Sequence, residues 1–219
     1  MLLHLDRVLF PNRCEVIEII PSQRYVYAIF KNGYSSFTLA AKQNKWPIRI
    51  NEQIQKIANI DIIIRNPKDR LISGINTFIQ NSVKNNPTLD SNTVQWFALN
   101  YLYLDRHYCS QFLWLLNLAR YLNADATLNF LPMAEIGNIT NLDIKPDGVA
   151  EPTHELIDQV TQIKNNEMYQ RIDQTILECI GQTMTFNQLL QNIKVLDPAA
   201  YDYVVVHAQQ ILKPTYALP

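Results

Sequence analysis

Glycine is scarce in this chain, at 5 of 219 residues, and there is no Gly/Ser linker, low-complexity tract or internal repeat. One domain over 1–219 is therefore the expectation, and a chain of this length buries roughly 70 % of the surface its unfolded form exposes. Neither sign of charge dominates: 19 Lys plus Arg stand against 20 Asp plus Glu, for a net charge of −1. That balance argues against nucleic acid as a partner, because a generally basic binder needs surplus cations to displace counterions. No apolar run approaches the ~20 residues that span a bilayer, and the mean hydropathy is −0.12. The opening Met1-Leu-Leu-His-Leu-Asp6 meets charge early and lacks the layout of a signal peptide, so a soluble, cytoplasmic protein is expected. Three cysteines, Cys14, Cys109 and Cys179, are odd in number and widely spaced, which reads as reduced thiols rather than a disulfide framework or a zinc site. The Walker A string G-x-x-x-x-G-K-[ST] is missing, which weakens the case for an ordinary NTPase.

What is present has α/β order. Tyr25-Val-Tyr-Ala-Ile-Phe30 is aromatic and β-branched and predicts a strand; it runs into Lys31-Asn-Gly-Tyr-Ser-Ser36, and 37–45 then reads as a helix. A second unit follows, in which Ile60-Asp-Ile-Ile-Ile64 has the near-continuous apolar character of a buried parallel strand and ends at Arg65. Asn66-Pro67 then supplies an N-cap and a proline at the first helical position, opening a helix to about residue 80. Further on, helices are expected over 91–104 and 110–122, a third strand over 126–131, and three or four helices from 153 onward. One of these opens on the capping box Thr185/Gln188 and one on Asp197-Pro198. The fold class expected is thus α/β: a short parallel sheet flanked by helices, P-loop-like strand-loop-helix phosphate sites, and a helical C-terminal half packed over the sheet.

Chemistry concentrates in the two strand-to-helix loops. Backbone N–H groups at a helix start attract anions. In the first loop Gly33 permits close backbone approach, Ser35 and Ser36 add hydroxyls, and Lys31 adds a point charge. In the second, Arg65 ends the strand and Ser73 falls about two turns into the helix, with Arg70 and Gly74 beside it. Ligands of parallel sheets bind at the carboxyl ends of strands, so both loops can face one crevice and hold two separated phosphates. The competing reading is a plain strand-to-helix turn and a surface ion network of Arg65, Asp69 and Arg70, worth little to stability.

Lys31-Asn-Gly-Tyr-Ser-Ser36 together with Arg65-Asn-Pro-Lys-Asp-Arg-Leu-Ile-Ser-Gly-Ile-Asn-Thr-Phe78 resembles the two cofactor signatures of sulfotransferases that use 3′-phosphoadenosine 5′-phosphosulfate (PAPS), most of all the carbohydrate branch. The resemblance implies that Lys31 contacts the bridging oxygen at the 5′ end and stabilises the leaving group. It also implies that Gly33 and Ser35, with the amides of Asn32, Tyr34 and Ser36, surround the 5′-phosphate, and that Arg65 and Ser73 hold the 3′-phosphate. Tyr34 departs from the small residue usual at its position, which leaves the hydroxyl role to Ser35. The interval from Ser36 to Arg65 is short for the family. The implied reaction sulfates a hydroxyl of a saccharide or small molecule and releases adenosine 3′,5′-bisphosphate (PAP). Such transfer needs an in-line approach and a base for the acceptor's proton.

Among His4, His107, His154 and His207, the candidate base is His107, in Leu104-Asp-Arg-His-Tyr-Cys-Ser-Gln111, a polar break between apolar helical stretches. Asp105 would orient it or cap a helix, and Glu52 is the rival base. Glu135 follows the third strand and reads either as a cleft residue or as a helix N-terminal carboxylate. Trp96, Tyr101, Tyr103, Phe112 and Trp114 recur at helical spacing and read as core before they read as a base or sugar platform. Cys109 reads as a buried thiol, since chain neighbours such as His107 do not face it on a helix. No metal-ligand spacing is seen. Two other functions stay open: a non-catalytic nucleotide-binding module, and a small-molecule kinase needing Mg²⁺ and an acidic ligand such as Asp61 or Asp69. The lack of a membrane anchor, unlike most carbohydrate sulfotransferases, suggests a bacterial or viral relative.

Overall fold

The computed structural model describes residues 13–29, 31–85, 92, 109–140 and 168–211. Its centre is a six-stranded mixed sheet in the order β3-β1-β2-β4-β5-β6. The strands are β1 (Glu15–Ile19), β2 (Arg24–Tyr27), β3 (Ile48–Ile50), β4 (Asn59–Ile64), β5 (Thr127–Pro132) and β6 (Thr183–Thr185). The helices are α1 (Tyr34–Asn44), α2 (Pro67–Asn85), α3 (Gln111–Ala119), α4 (Ile136–Thr140), α5 (Met168–Leu177), α6 (Phe186–Leu196) and α7 (Pro198–Ile211). Short 3₁₀ turns at Asn51–Lys56 and Met133–Glu135 precede β4 and α4.

The α/β class stands, with two corrections. The sheet is not simply parallel: β2, β4 and β5 run parallel, while β1 is antiparallel to both β2 and β3, and β6 is antiparallel to β5. The reason lies in connection length, since residues 20–23 are too few for the crossover that a parallel β1–β2 pair would require. Nor is the stretch after the expected third strand wholly helical, because β6 lies within it, paired with β5.

Both sheet faces are covered, and β4 shows how. Ile60, Ile62 and Ile64 join a large core on one face with residues of α2, α3, α5 and α6; Ile63 joins Phe37 of α1 and Ile136 of α4 on the other. Burial on both faces explains why the strand reads as an unbroken apolar run. Caps expected at Asn66 and Thr185/Gln188 are in place: Asn66 Oδ1 accepts from the N–H of Lys68 at 2.9 Å, and Thr185 and Gln188 close their box. Ser110 Oγ adds one more, accepting from Phe112.

Path direction decides where a site can form. From β2 the chain crosses one face through α1 to β3; from β4 it leaves by the opposite face through α2 and returns by α3 to β5. β2 and β4 are neighbours, so the chain departs in opposite directions between their carboxyl ends, which is the topological switch point of an open sheet. Among the described residues, no helix is long and apolar enough to cross a membrane.

Candidate functional site

The β2–α1 loop is tightly wound. The N–H of Asn32 donates to the carbonyl of Ile29 at 2.9 Å, and Lys31 (φ 66) and Gly33 (φ 85) are both left-handed. Such a backbone costs a lysine about 1–2 kcal/mol. Two contacts hold it there: Arg65 Nη1 donates to the Lys31 carbonyl at 2.9 Å, and Lys31 Nζ donates to Thr77 Oγ1 of α2 at 2.5 Å. Gly33 caps α1, and a Cβ there would lie 2.5 Å from Ile136 Cδ1. Its close approach, expected from the sequence to be toward a ligand, is in this structure toward the side chain of Ile136. The first turn of α1 carries no acidic residue. Ser35 is exposed, Ser36 is half-buried, and the Tyr34 hydroxyl donates to Glu15 of β1 at 3.0 Å.

The β4–α2 loop meets it from the other side. Arg65 is buried although it is charged and ends a strand, which separates it from a surface network. Ser73 is half-buried, and its carbonyl accepts from Thr77 Oγ1 at 3.1 Å, so Lys31, Thr77 and Ser73 form one hydrogen-bonded chain between the two loops. Arg70 is fully buried and donates to the Cys109 carbonyl, a structural contact.

Behind the loops lies a buried polar network. The Gln111 side chain, the first residue of α3, accepts from the Arg65 N–H at 3.2 Å and from Asn32 Nδ2, and its own Nε2 donates to the Arg65 carbonyl at 3.0 Å. Asn32 Nδ2 also donates to the Ile63 carbonyl at 2.8 Å, and its Oδ1 finds no donor among the described residues. Asp173 of α5 caps α3 from outside, accepting from Ser110 Oγ at 2.5 Å and from the N–H groups of Gln111 and Phe112 at 2.9 and 3.3 Å. Burial pushes the Asp173 carboxyl above its ordinary range; the charge of Arg70 and these donors pull it back only in part. From the sequence, Gln111 reads only as the polar start of an apolar helix, and Asp173 and Thr77 give no local signal; Gln111 and Thr77 meet the loops, and Asp173 meets Gln111, through tertiary structure alone.

The remaining candidates scatter. Glu52 is exposed on the 3₁₀ turn after β3, in a groove of about 570 Å³ with Tyr25, Arg49, Gln53, Lys56 and Ile57, apart from both loops. Glu135 is half-buried at the end of the 3₁₀ turn before α4 and accepts from the side chain of Asn138 at 3.0 Å. Asp61 lies within β4, bound to Arg24 at 2.5 Å and to Asn129 at 3.1 Å. Phe112 is buried, Trp114 packs against the same core, and Cys109 is a buried free thiol. His107, Asp105, Trp96, Tyr101, Tyr103, His4 and His154 lie outside the described residues, and His207 is on α7. Among the described residues no group of three His, Cys, Asp or Glu is placed to hold a metal ion. No protein-family model, curated protein or solved structure matches this chain.

Proposed function

We propose that this chain is a sulfotransferase that takes the sulfuryl group of PAPS to a hydroxyl of a saccharide or small-molecule acceptor and releases adenosine 3′,5′-bisphosphate. One observation carries the reading. The two segments that resemble the family's cofactor signatures are 29 residues apart in the chain, from Ser36 to Arg65, yet they flank one switch point. There the Arg65 guanidinium sits 2.9 Å from the Lys31 carbonyl, and the Lys31 ammonium reaches α2 one turn beyond Ser73.

The residues present suit a doubly anionic nucleotide. Lys31 and Arg65 bring two cations to the ends of neighbouring strands, Ser35 and Ser36 bring hydroxyls to a helix start that carries no carboxylate, and Ser73 stands a turn from the lysine tether. In this P-loop-like arrangement the amides of 32–36 and Ser35 would face the 5′-phosphate, and Arg65 and Ser73 the 3′-phosphate. The donor supplies an activated sulfuryl group. Lys31 would exchange Thr77 for the leaving-group oxygen and stabilise its charge, while His107 would take the acceptor's proton.

A kinase is less well supported, because Asp61 is already engaged by Arg24 and Asn129. The non-catalytic nucleotide-binding module uses the same two loops and differs only in lacking turnover.

Differential scanning fluorimetry separates these readings. At a hundredfold excess over Kd, adenosine 3′,5′-bisphosphate should add about 2.7 kcal/mol of stability, while ATP with Mg²⁺ should add little. In calorimetry Arg65→Ala should weaken the bisphosphate about 10- to 100-fold, since hydrogen bonds to charged groups contribute about 1.5–3 kcal/mol, and Ser73→Ala should weaken it less. Unchanged affinity in both variants would remove the second loop from the site. Binding without turnover across an acceptor panel with labelled donor would leave the module reading.

A further inference from the structure

We infer that Gln111 is a positioning residue, a buried amide clamp that fixes the spacing of the Lys31 loop and Arg65 and so makes the site selective for ligands with two separated phosphates. This inference rests on the nucleotide-binding reading above and adds to it the residue that determines phosphate spacing.

Gln111 is fully buried, and its amide group is used from both ends. Oε1 takes one donor from each loop, Asn32 Nδ2 and the Arg65 N–H; Nε2 returns a hydrogen bond to the Arg65 carbonyl. The side chain thus pairs with both polar groups of the Arg65 residue, as a neighbouring strand would, just where β4 has ended. A primary amide supplies that acceptor capacity and that donor together without any change of protonation. The clamp is anchored in turn, because the Gln111 N–H donates to Asp173 on α5. Arg65 cannot shift without leaving Gln111, and its guanidinium then leaves the Lys31 carbonyl. A ligand held by one loop is indifferent to the distance between loops. A ligand held by both is not, since a displaced loop leaves one charge-assisted phosphate contact unmade, at a loss of about tenfold or more in affinity.

The test compares calorimetric affinities for adenosine 3′,5′-bisphosphate and adenosine 5′-monophosphate in wild type, Gln111→Met and Gln111→Glu. Methionine keeps the length but loses every hydrogen bond; glutamate keeps the shape and, ionised, sets an oxygen against the Arg65 carbonyl, so it is read at the alkaline end of the folded range, where burial cannot hold a proton on it. Either folded variant should lower the bisphosphate-to-monophosphate preference about tenfold or more. Amide exchange should also accelerate in 31–33 and 65–66 while α6 stays protected. A preference within about twofold of wild type in a folded variant overturns the inference. If wild type itself shows no preference for the bisphosphate, the functional reading fails, and the exchange comparison judges the clamp alone: unchanged loops overturn it. If neither variant folds, the wild-type Arg65 amide decides. Exchange only through global unfolding supports the clamp, and exchange through local opening overturns it.

Discussion

At the scale of single residues, the site is built on two left-handed positions that have different justifications. Lys31 is held there by contacts made with its carbonyl and its ammonium group, whereas Gly33 is there because nothing else fits. Gly33→Ala should cost about 2–4 kcal/mol in denaturant unfolding, as backbone strain and a forced contact add. The two parts can be separated, because the obstructing atom is Ile136 Cδ1, which valine lacks. In an Ile136→Val background the same substitution should cost less, leaving only the strain at φ 85. A double-mutant cycle reads the difference, and strict additivity would show that Ile136 does not constrain the glycine. That Lys31 and Arg65 lie together at neighbouring strand ends was legible from the two strand-to-helix units. Gln111 was not, since its partners lie 79 and 46 positions away and a polar residue opening an apolar helix looks like any cap.

Helix ends were the most legible elements. Asn66-Pro67, Thr185 with Gln188 and Asp197-Pro198 all begin helices where the capping chemistry places them. Strands were read where burial leaves a long signature, as in β4 and β5. The edge strands β3 and β6 have three residues each, too few to display a period. In β1, Val16 and Ile17 are both buried because both faces of the sheet are covered, and this breaks the alternation that would have marked it. One capping partner was hidden altogether: besides Ser110, α3 is capped by Asp173, which belongs to α5. Because burial raises that carboxyl's pKa in the folded state, the folded chain holds the proton more tightly than the unfolded one. Its contribution is then fully present below about pH 3.8, declines as pH rises from there to the raised folded value, and is flat above it. The stability of wild type relative to Asp173→Asn should fall through that window and then level off. A difference that rises with pH would mean that Arg70 and the donors outweigh desolvation.

At the scale of the whole molecule, one core links distant parts of the chain. Cys14 ahead of β1, Cys109 ahead of α3 and Cys179 after α5 all belong to the same apolar cluster. Burial pushes the Cys14 thiol up to about 12, so none of its reactivity at neutral pH comes from the native state. The three thiols should therefore be alkylated together, with one opening free energy matching that from denaturant unfolding. Separate rates for Cys14 and Cys179 would divide the chain into independently opening units. Cooperativity of this kind bears on the order in which the molecule comes together. The β1–β2 hairpin closes over a few residues, whereas β4 meets β5 across 68 positions and Gln111 meets Asn32 across 79. Long-range closures are slow, and the clamp joins the β2 and β4 loops only after such a closure. A chain emerging from the ribosome therefore carries both cation loops well before it can hold them at a working distance. The contact between the two loops is thus a property of the finished domain, and a partly folded chain has the loops without their spacing.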